Sequence, residues 1–287
     1  MMRSRVSVIA AQLAIILLTL AVWQWAFDLK PHADWLVPGL LDPYFISKPS
    51  EIWTQLLRLA CLTNPTGDWL LGQDGAVMAC LAKNDNNLWI ATLVTLTNTL
   101  WGFAIGVASG YVVGLLLGQS TFMSRVFEPF LVALNSIPRI ALVPIVVMMF
   151  GIGDTSKIVT AWLLVFFLVF FNTFEGARQV DQTLVSMSRL LQAKDWQVTA
   201  KIIIPSTLTW VFASLTPAIS FALIGVIVGE FIGARQGLGR IMMEAQARGQ
   251  SSVMMATVIV LMTIGVILAL GVKSMQSYLL RWQNTGH

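Results

Sequence analysis

The stretch WIATLVTLTNTLWGFAIGVASGYVVGLLLG, residues 89–118, carries no charged side chain and is long enough to cross a bilayer as one helix. A helical span needs about 20 apolar residues. Five further apolar runs lie at 7–27, 127–150, 157–174, 208–232 and 252–272. These runs are continuously apolar, whereas the strands of a membrane barrel alternate in short segments. The sequence therefore predicts an all-α membrane protein with six transmembrane helices.

The composition agrees with this fold class. Of the 287 residues, 56% are hydrophobic and 11% are charged, a balance too apolar for a soluble domain of this length. The formal net charge is +4. No base-reading motif accompanies the basic residues, so we expect them to anchor the chain at the membrane surface and not to bind nucleic acid.

Lysine and arginine near the span ends predict the orientation, because cytoplasmic loops carry an excess of them. A cytoplasmic N-terminus places nine such residues inside: Arg3, Arg5, Arg125, Arg178, Arg189, Lys194, Lys201, Lys273 and Arg281. It leaves four outside, apart from those in the long first loop: Lys157, Arg235, Arg240 and Arg248. With six spans, both termini are therefore expected to be cytoplasmic.

We divide the chain into an N-terminal transmembrane helix at 1–28, an external loop at 29–88 and a core of five transmembrane helices at 89–287. Within the loop, Ser50 precedes an apolar pattern at helical spacing. This pattern predicts an amphipathic helix that is capped by Ser50 and lies near the membrane surface. Residues 62–87, rich in Gly, Asn and Asp, are predicted to form an irregular insertion.

Both cysteines of the chain, Cys61 and Cys80, fall in the external loop. Extracytoplasmic spaces are oxidising, which favours the hypothesis of a disulfide between them. The alternative is two unpaired, small apolar residues, because spacing in sequence does not define disulfide geometry.

Glycine recurs at every fourth position of the second apolar run, at Gly102, Gly106, Gly110, Gly114 and Gly118. At 3.6 residues per turn these glycines fall on one slowly drifting face, so another helix can approach closely along the whole run. One interpretation is a packing rail inside a moving bundle. The other is static helix packing.

The third apolar run contains Asn135, Ser136 and Arg139 together with Pro138 and Pro144. The prolines interrupt the backbone hydrogen bonds, and an arginine within a span is costly unless it faces a polar cavity or a partner. Arg139, with Asn135 and Ser136, is therefore a candidate for the translocation path or its gate. The alternative is an arginine that reaches the interface or pairs structurally.

Glu230 ends the fifth apolar run and is followed by a glycine-rich turn at 233–239. Three roles are open for Glu230: it caps a cavity as part of the path or gate, it pairs with Arg139, or it lies at the outer interface. The turn lacks the Lys and the Ser or Thr of a nucleotide-binding loop, so we interpret it as a re-entrant or hinge loop.

Residues 175–206 form a polar, net-basic stretch between two apolar runs. We expect two short amphipathic helices with a break between them, which contact something outside the membrane. Asp195 is predicted to cap the second helix, at 196–204. An apolar stripe at helical spacing is predicted to pack on the chain's own helices; it consists of Leu184, Met187, Leu190 and Leu191.

The sequence offers no catalytic group. The only histidines are His32, in the outer loop, and His287, the last residue, which argues against a metal cluster or a His-based triad within one chain. It also contains no phosphate-binding loop of the G-x-x-x-x-G-K-[ST] type. We therefore expect a conduit with no enzymatic activity, metal or cofactor of its own, in which a partner binds and hydrolyses ATP.

Together these features resemble the membrane permease subunits of bacterial ABC importers, in particular the group handling nitrate, sulfonates and taurine. The resemblance covers most of residues 46–272. It is carried by the order and spacing of KPSEI at 48–52, IPRIALVP at 137–144, FGIG at 150–153, SKI at 156–158, FNT at 171–173, IIIP at 202–205, ALIG at 222–225 and GLG at 237–239.

The resemblance implies a type I ABC importer permease fold in a bacterial inner membrane, with a periplasmic loop near the N-terminus and a cytoplasmic coupling loop at 175–206. It implies a homodimer that works with two ATP-binding subunits and with a periplasmic or lipid-anchored substrate-binding protein. The implied cargo is a small anionic solute such as a sulfonate, taurine or nitrate.

In this family the cytoplasmic loop carries Glu-Ala-Ala, three residues, Gly, nine residues and Ile-x-Leu-Pro. Counting back from Pro205 places Gln192 at the Gly, and Ser186, Met187 and Ser188 at the Glu-Ala-Ala. The resemblance implies docking on the ATP-binding subunit, with 192–195 as an exposed tip, through Arg189, Gln192, Ala193, Lys194, Asp195 and Trp196. Because a side chain in the left-handed conformation costs about 1 kcal/mol, we expect Gln192 to be right-handed or the turn to shift by one residue.

Two other classes of protein stay open. A secondary transporter would need coupling-ion ligands in the membrane and usually a second, inverted half. A membrane scaffold subunit would need no translocation path, and would bind a nucleotide-binding partner without ATP-driven uptake.

Overall fold

The computed structural model describes residues 2–29, 46–63, 68–70, 77, 79–80 and 87–279. Within these residues the regular structure is helical, apart from an isolated bridge between Thr63 and Trp69. The predicted all-α fold class is therefore confirmed. The other positions of the external loop, including much of the predicted irregular insertion, lie outside the described residues.

The helices follow one another along the chain as α1 Met2–Leu29, α2 Pro49–Leu59, α3 Leu88–Gly118, α4 Thr121–Ser136, α5 Val143–Phe150, α6 Asp154–Arg178, α7 Gln182–Leu190, α8 Asp195–Val198, α9 Ile204–Phe231, α10 Leu238–Ala247 and α11 Ser251–Leu279. A 3-10 turn at Arg139–Leu142 precedes α5, and a π-turn at Thr199–Ile203 precedes α9.

Four helices are long and apolar enough to cross a membrane: α3, α6, α11 and the continuous stretch Asp195–Phe231. A fifth span arises if the bent pair formed by α4 and Arg139–Phe150 crosses as one unit. Helix α1 contains the shorter apolar segment Ala10–Ala26. All six predicted runs thus fall on helices, although not each on one straight helix.

The third predicted run, 127–150, is broken and not continuous. Helix α4 stops at Ser136, and the following segment is turned by 81°. Ile137 is extended, with ψ of 127°, as the ring of the following Pro138 demands. Pro138 also has no N–H to donate, so the helix cannot continue through it.

The predicted short helix at 196–204 is instead the start of a long one. Residues Asp195–Phe231 are continuous, with the π-turn at Thr199–Ile203 near their beginning. Pro205 lies just beyond this turn, where its missing N–H and its ring are incompatible with a regular bond to the carbonyl of Lys201. The wider π-turn accommodates that loss without ending the helix.

The described chain divides into two compact units, the first made of residues up to 90 with 241–261 and the second of 91–240 with 262 onward. In the second unit the core lies where α6 packs along α9. Apart from Leu215, its buried members are small or β-branched, which allows close approach without a large hydrophobic driving force: Ala161, Val165, Val169, Val211, Leu215, Ala218, Ala222 and Val226.

The glycine repeat of α3 faces α6 throughout. A Cβ added at Gly106 would lie 2.7 Å from Cβ of Val165, and one at Gly114 would lie 2.7 Å from the carbonyl oxygen of Phe170. At Gly118 the added Cβ would lie 2.7 Å from Cβ of Ala177. The backbones of α3 and α6 are therefore in contact over the full length of the repeat.

In the first unit, α2 begins at Pro49 with Lys48 as its N-cap, so the predicted cap by Ser50 is wrong. Proline suits the first helical position because its φ is preset and an N–H there would be unused. The N–H of Ser50 donates to Oε1 of Gln24 on α1, at 3.3 Å. Cys61 and Cys80 form a disulfide, with their Cα atoms 6.0 Å apart.

Candidate functional site

Arg139 sits at the first residue after the break in the third span. Its Nη2 donates to Oδ1 of Asn135 at 2.6 Å, one helical turn earlier, and its guanidinium lies 5.5 Å from the ring centroid of Phe167 on α6. Among the described residues Arg139 forms no ion pair. The break at Pro138 is what frees the arginine to face sideways between α4 and α6.

Two surface cavities of the second unit meet at this arginine. One, of about 490 Å³, is lined by Asn135 and Arg139 together with residues of α4 and α6 such as Leu131 and Phe171. The other, of about 280 Å³, is also lined by Asn135 and Arg139, with Phe221 from α9. Asn135 and Arg139 therefore separate two spaces along the same face.

Ser136 does not share this position. Its hydroxyl donates to the carbonyl of Val132 at 2.9 Å, within its own helix, and it lines neither cavity. Of the predicted path residues on the third span, the structure brings together Asn135 and Arg139 only.

Glu230 lies in a buried polar cluster away from Arg139. It is 1% exposed, and its carboxylate accepts from the hydroxyl of Thr95 at 2.8 Å and from the N–H of Gly239 at 2.8 Å. The Thr95 oxygen in turn accepts from the N–H of Leu238 at 3.0 Å. The cluster thus satisfies the first N–H groups of α10, which have no partner within their own helix.

The glycines of the turn are required by this carboxylate. A Cβ on Gly237 would collide with the carboxyl group of Glu230, and one on Gly239 would lie 2.7 Å from Cβ of Glu230. Gly237 also has a φ of +131°, which disfavours other residues. Of the three roles considered for Glu230, pairing with Arg139 is wrong, because the carboxylate is bound by Thr95 and Gly239; a place at the outer interface stays a prediction.

A second set of polar groups lies beside this cluster. The Nζ of Lys157 is buried, and it donates to Oδ1 of Asp154 at 2.9 Å and to the carbonyl of Gln236 at 3.0 Å. Asp154 also accepts from Nδ2 of Asn98 at 3.0 Å. Lys157 thus holds the turn at 233–239 against the start of α6, and the interpretation of the turn as a re-entrant or hinge loop stays a prediction.

At the polar stretch, α7 ends in a Schellman motif. The N–H of Ala193 donates to the carbonyl of Ser188 at 3.0 Å, and that of Gln192 donates to the carbonyl of Arg189 at 2.9 Å. Gln192 has a φ of +60°. The expectation of a right-handed Gln192 or a shifted turn is therefore wrong, and Gln192 occupies the left-handed position that favours glycine.

The apolar stripe of α7 points outward. Leu184 and Met187 are 50% and 57% exposed, and Leu190 and Leu191 are each 83% exposed. Trp196 on α8, 64% exposed, belongs to the same surface loop. The prediction that the stripe packs on the chain's own helices is wrong, because that role belongs to the opposite face of α7.

That opposite face carries Val185, which is buried with Val180 and Val198. Ala193 is half-buried and packs against the same three valines, so it is not part of an exposed tip. Gln192, Lys194 and Asp195 are exposed, as expected for the tip.

Asp195 does not cap the second helix of the loop. The N-cap is Lys194, whose N–H donates to Oε1 of Gln197 at 2.9 Å. Asp195 instead lies 3.6 Å from Nη2 of Arg189, which links the two helices across the turn.

At the start of α7, the backbone N–H of Thr183 donates to Asp181 and so lowers the pKa of that carboxyl below its ordinary value.

The hydrogen-bond partners of Glu230 were not predicted from the sequence. Thr95, Asn98 and Thr99 stand at helical spacing within an otherwise apolar run, and all three are buried. Polar residues on one face of a span indicate a polar contact inside the bundle, and that signal was available.

A helical chain with several spans, an arginine at a broken span and a surface loop with exposed apolar residues defines a membrane transport subunit that works with a partner. The chain belongs to the family of binding-protein-dependent transport system inner membrane components, whose profile matches residues 106–284. It is thus a multi-pass inner-membrane permease of the ABC importer type.

Individual relatives agree with the family. A protein of Haemophilus influenzae described as a probable ABC transporter permease is 34% identical over 217 residues, which are 76% of this chain and 87% of that protein. A Bacillus subtilis permease named for aliphatic sulfonates transport is 31% identical over 184 residues, 64% of this chain and 67% of the relative.

The fold is similar to that of a solved structure, the inward-facing MetNI methionine ABC transporter. The TM-score is 0.53 at 18% identity, over 66% of this chain and 93% of that one. At this identity the likeness concerns the fold, which is of the type I importer permease class predicted from the sequence.

Proposed function

We propose that this permease docks on an ATP-binding subunit through the outward face of α7 and α8 and carries a small anion across the membrane. The observation that supports docking is the row of apolar side chains on that face. Four leucine and methionine residues that are half or more exposed, with Trp196 beside them, form a contiguous apolar surface on a polar loop. Such surfaces mark sites of protein contact.

The loop is built to present this surface rigidly. Val185 and Val198 pack beneath it, the Schellman motif fixes the turn, and the Arg189–Asp195 pair spans the turn at 3.6 Å. A rigid surface loses little conformational entropy on binding, which favours a stable complex. ATP binding and hydrolysis then belong to the partner, and the motion enters the membrane through the continuous helix Asp195–Phe231.

A homodimer with two ATP-binding subunits suits the site at Arg139. Both cavities next to Arg139 open at the surface of the chain. A second copy would enclose them and form a path. The family name implies a separate substrate-binding protein, which would deliver cargo from the outside.

We place both termini in the cytoplasm. The excess of Lys and Arg on the side of the docking loop supports this orientation. This orientation is also supported by the disulfide between Cys61 and Cys80, which lie between α1 and α3 in the sequence, because disulfides persist in oxidising compartments. A fluorescent reporter fused after residue 287 should fold and fluoresce, while an alkaline phosphatase fusion there should be inactive; the reverse pattern would invert the topology.

The cargo is an anion, on the evidence of Arg139. The guanidinium has a neutral amide as its hydrogen-bond partner and no ion pair among the described residues, while Glu128 and Glu175 line the larger cavity with it. A buried or half-buried arginine in a span is costly unless an anion or a polar cavity compensates it. The sulfonate cargo named for the Bacillus subtilis relative is of this chemical class.

The docking surface is tested by Leu190→Asp and Leu191→Asp. Each places a charge where an apolar contact is proposed, so each should abolish co-purification of the ATP-binding subunit and ATP-driven uptake while leaving the fold intact. Gln250→Asp adds the same charge at an exposed position just before α11, outside the docking loop, and is the control. Full co-purification with both leucine variants would refute this docking surface.

A further inference from the structure

A basic cavity of about 650 Å³ lies at the end of the second unit where α3 and α6 finish and α4 and α7 begin. Three arginines line it: Arg125 on α4, Arg178 at the end of α6 and Arg189 on α7. The cavity shares Arg178 with the larger of the two spaces beside Arg139, its other lining residues differ from those of both spaces, and it does not include the outward apolar face of α7.

The charges in this cavity are unbalanced. One carboxylate, that of Asp195, lines it together with the three guanidinium groups. Arg178 is held 3.6 Å from Glu128 and lies over the ring of Phe174, and Arg189 is held 3.6 Å from Asp195. Arg125 is exposed and forms no ion pair among the residues that the structure describes. The lining therefore keeps a net positive charge.

The remaining polar side chains of the lining are hydrogen-bonding groups of the kind that accompany an oxyanion. They include Gln119, which accepts from the hydroxyl of Thr199 at 3.3 Å, and Ser124 at the beginning of α4. Arginine is the side chain best suited to bind phosphate-like oxygens, because its planar fork donates two parallel hydrogen bonds.

We propose that this cavity binds a tetrahedral oxyanion of the phosphate or sulfate type. Two sources share that chemistry. One is the headgroup of an anionic lipid, since the cavity lies at span ends and basic pockets between helices at a membrane surface hold such headgroups. The other is a free anion in solution. The cavity volume accommodates either.

Binding of an oxyanion in this cavity affects the loop that contains α7 and α8. Arg189 faces both the cavity and Asp195, and an exposed ion pair at 3.6 Å is weak. An oxyanion in the cavity competes with Asp195 for Arg189 and so weakens the ion pair that links α7 to α8 across the turn at Gln192. The oxyanion site itself does not depend on the docking role of the loop, and its binding test is independent of ATP.

The test uses the full chain in nanodiscs of neutral phosphatidylcholine. Its Tm is followed by tryptophan fluorescence while sulfate replaces chloride at constant ionic strength. A ligand that binds only the folded state raises the Tm in a saturable way. Arg125→Gln should raise the half-saturating sulfate concentration about fivefold or more, as the loss of a charge-assisted contact predicts. Arg235→Gln, the same change at an exposed position outside the cavity, should leave it unchanged.

A second arm measures lipid. The chain is extracted from vesicles of mixed phosphatidylglycerol and phosphatidylcholine, and native mass spectrometry counts the phosphatidylglycerol retained, which Arg125→Gln should reduce. A response to sulfate alone assigns the site to a free anion, and a response to phosphatidylglycerol alone assigns it to a headgroup. No response in either arm, or responses that Arg125→Gln leaves intact, would overturn the proposal.

Discussion

Gln192 is held by its neighbours in a backbone conformation that is unfavourable for a residue with a side chain. Its backbone is left-handed because two hydrogen bonds of the Schellman motif, to Ser188 and Arg189, define the turn. Gln192→Gly should raise the free energy of unfolding by up to about 1 kcal/mol, since glycine adopts this conformation without steric cost. Thermal unfolding in detergent measures the change.

Gln182→Gly provides the opposite control, because Gln182 is helical in α7 and glycine there should destabilise the chain. If the two variants shift the Tm in the same downward direction, the turn at Gln192 is not left-handed in solution.

Glu230, by contrast, stabilises the chain, because it accepts hydrogen bonds from buried neighbours. Glu230→Ala leaves the hydroxyl of Thr95 and the N–H of Gly239 without their buried acceptor. We expect a loss of about 2–3 kcal/mol of stability, the usual range for a hydrogen-bonded charged group. Glu244→Ala, which removes a more exposed carboxylate 3.8 Å from Arg248, should cost less than about 1 kcal/mol. Equal Tm losses would contradict the buried cluster.

At the scale of elements, the contact between α3 and α6 depends on missing Cβ atoms. Gly114→Ala places a methyl group 2.7 Å from the carbonyl oxygen of Phe170 and 2.8 Å from Cβ of Thr173. Neither is the flexible end of a side chain, so the helices must separate, at a cost of about 1–3 kcal/mol.

Gly271→Ala makes the same change in α11, where nothing lies within 4 Å of the added Cβ. There the better helix propensity of alanine should be neutral or stabilising. The Tm should therefore fall for Gly114→Ala and stay level or rise for Gly271→Ala, and a similar loss at both positions would show that helix contact is not the cause.

The helices could be predicted from the sequence more fully than the contacts between them. Continuous apolar runs identified every long helix, and the glycine repeat in α3 predicted a close neighbour without naming α6. Pro138 predicted that the third span is interrupted. The size of the bend, 81°, depends on how α5 packs, and no local sequence pattern encodes that packing. The prediction that the stripe at Leu184 to Leu191 packs on the chain's own helices is wrong, because apolar periodicity does not distinguish a core from a partner surface.

At the scale of the whole molecule, the proposed contact between Arg139 and the cargo can be tested by uptake. In proteoliposomes holding the permease, its ATP-binding subunit and its binding protein, Arg139→Gln should lower the initial rate of ATP-driven ethanesulfonate uptake about tenfold or more. That is the effect of losing about 1.4 kcal/mol of interaction with the passing anion. Arg139→Lys should retain part of the rate, because it keeps the charge but not the fork.

Assembly of the complex is the control, since Arg139 lies outside the docking surface and should not affect co-purification. An unchanged rate with Arg139→Gln would remove this arginine from the path. Uptake of neutral solutes but of no sulfonate by the unmodified protein would contradict an anionic cargo.

The disulfide of the first unit makes the chain convenient for spectroscopy. The sequence has two cysteines, and both are consumed in the bond between Cys61 and Cys80. Any cysteine introduced elsewhere is then the sole reactive thiol under non-reducing conditions. A spin label at position 235, where the native arginine is exposed and lies outside the docking surface, would report distances across an assembled complex while both native cysteines stay in their disulfide.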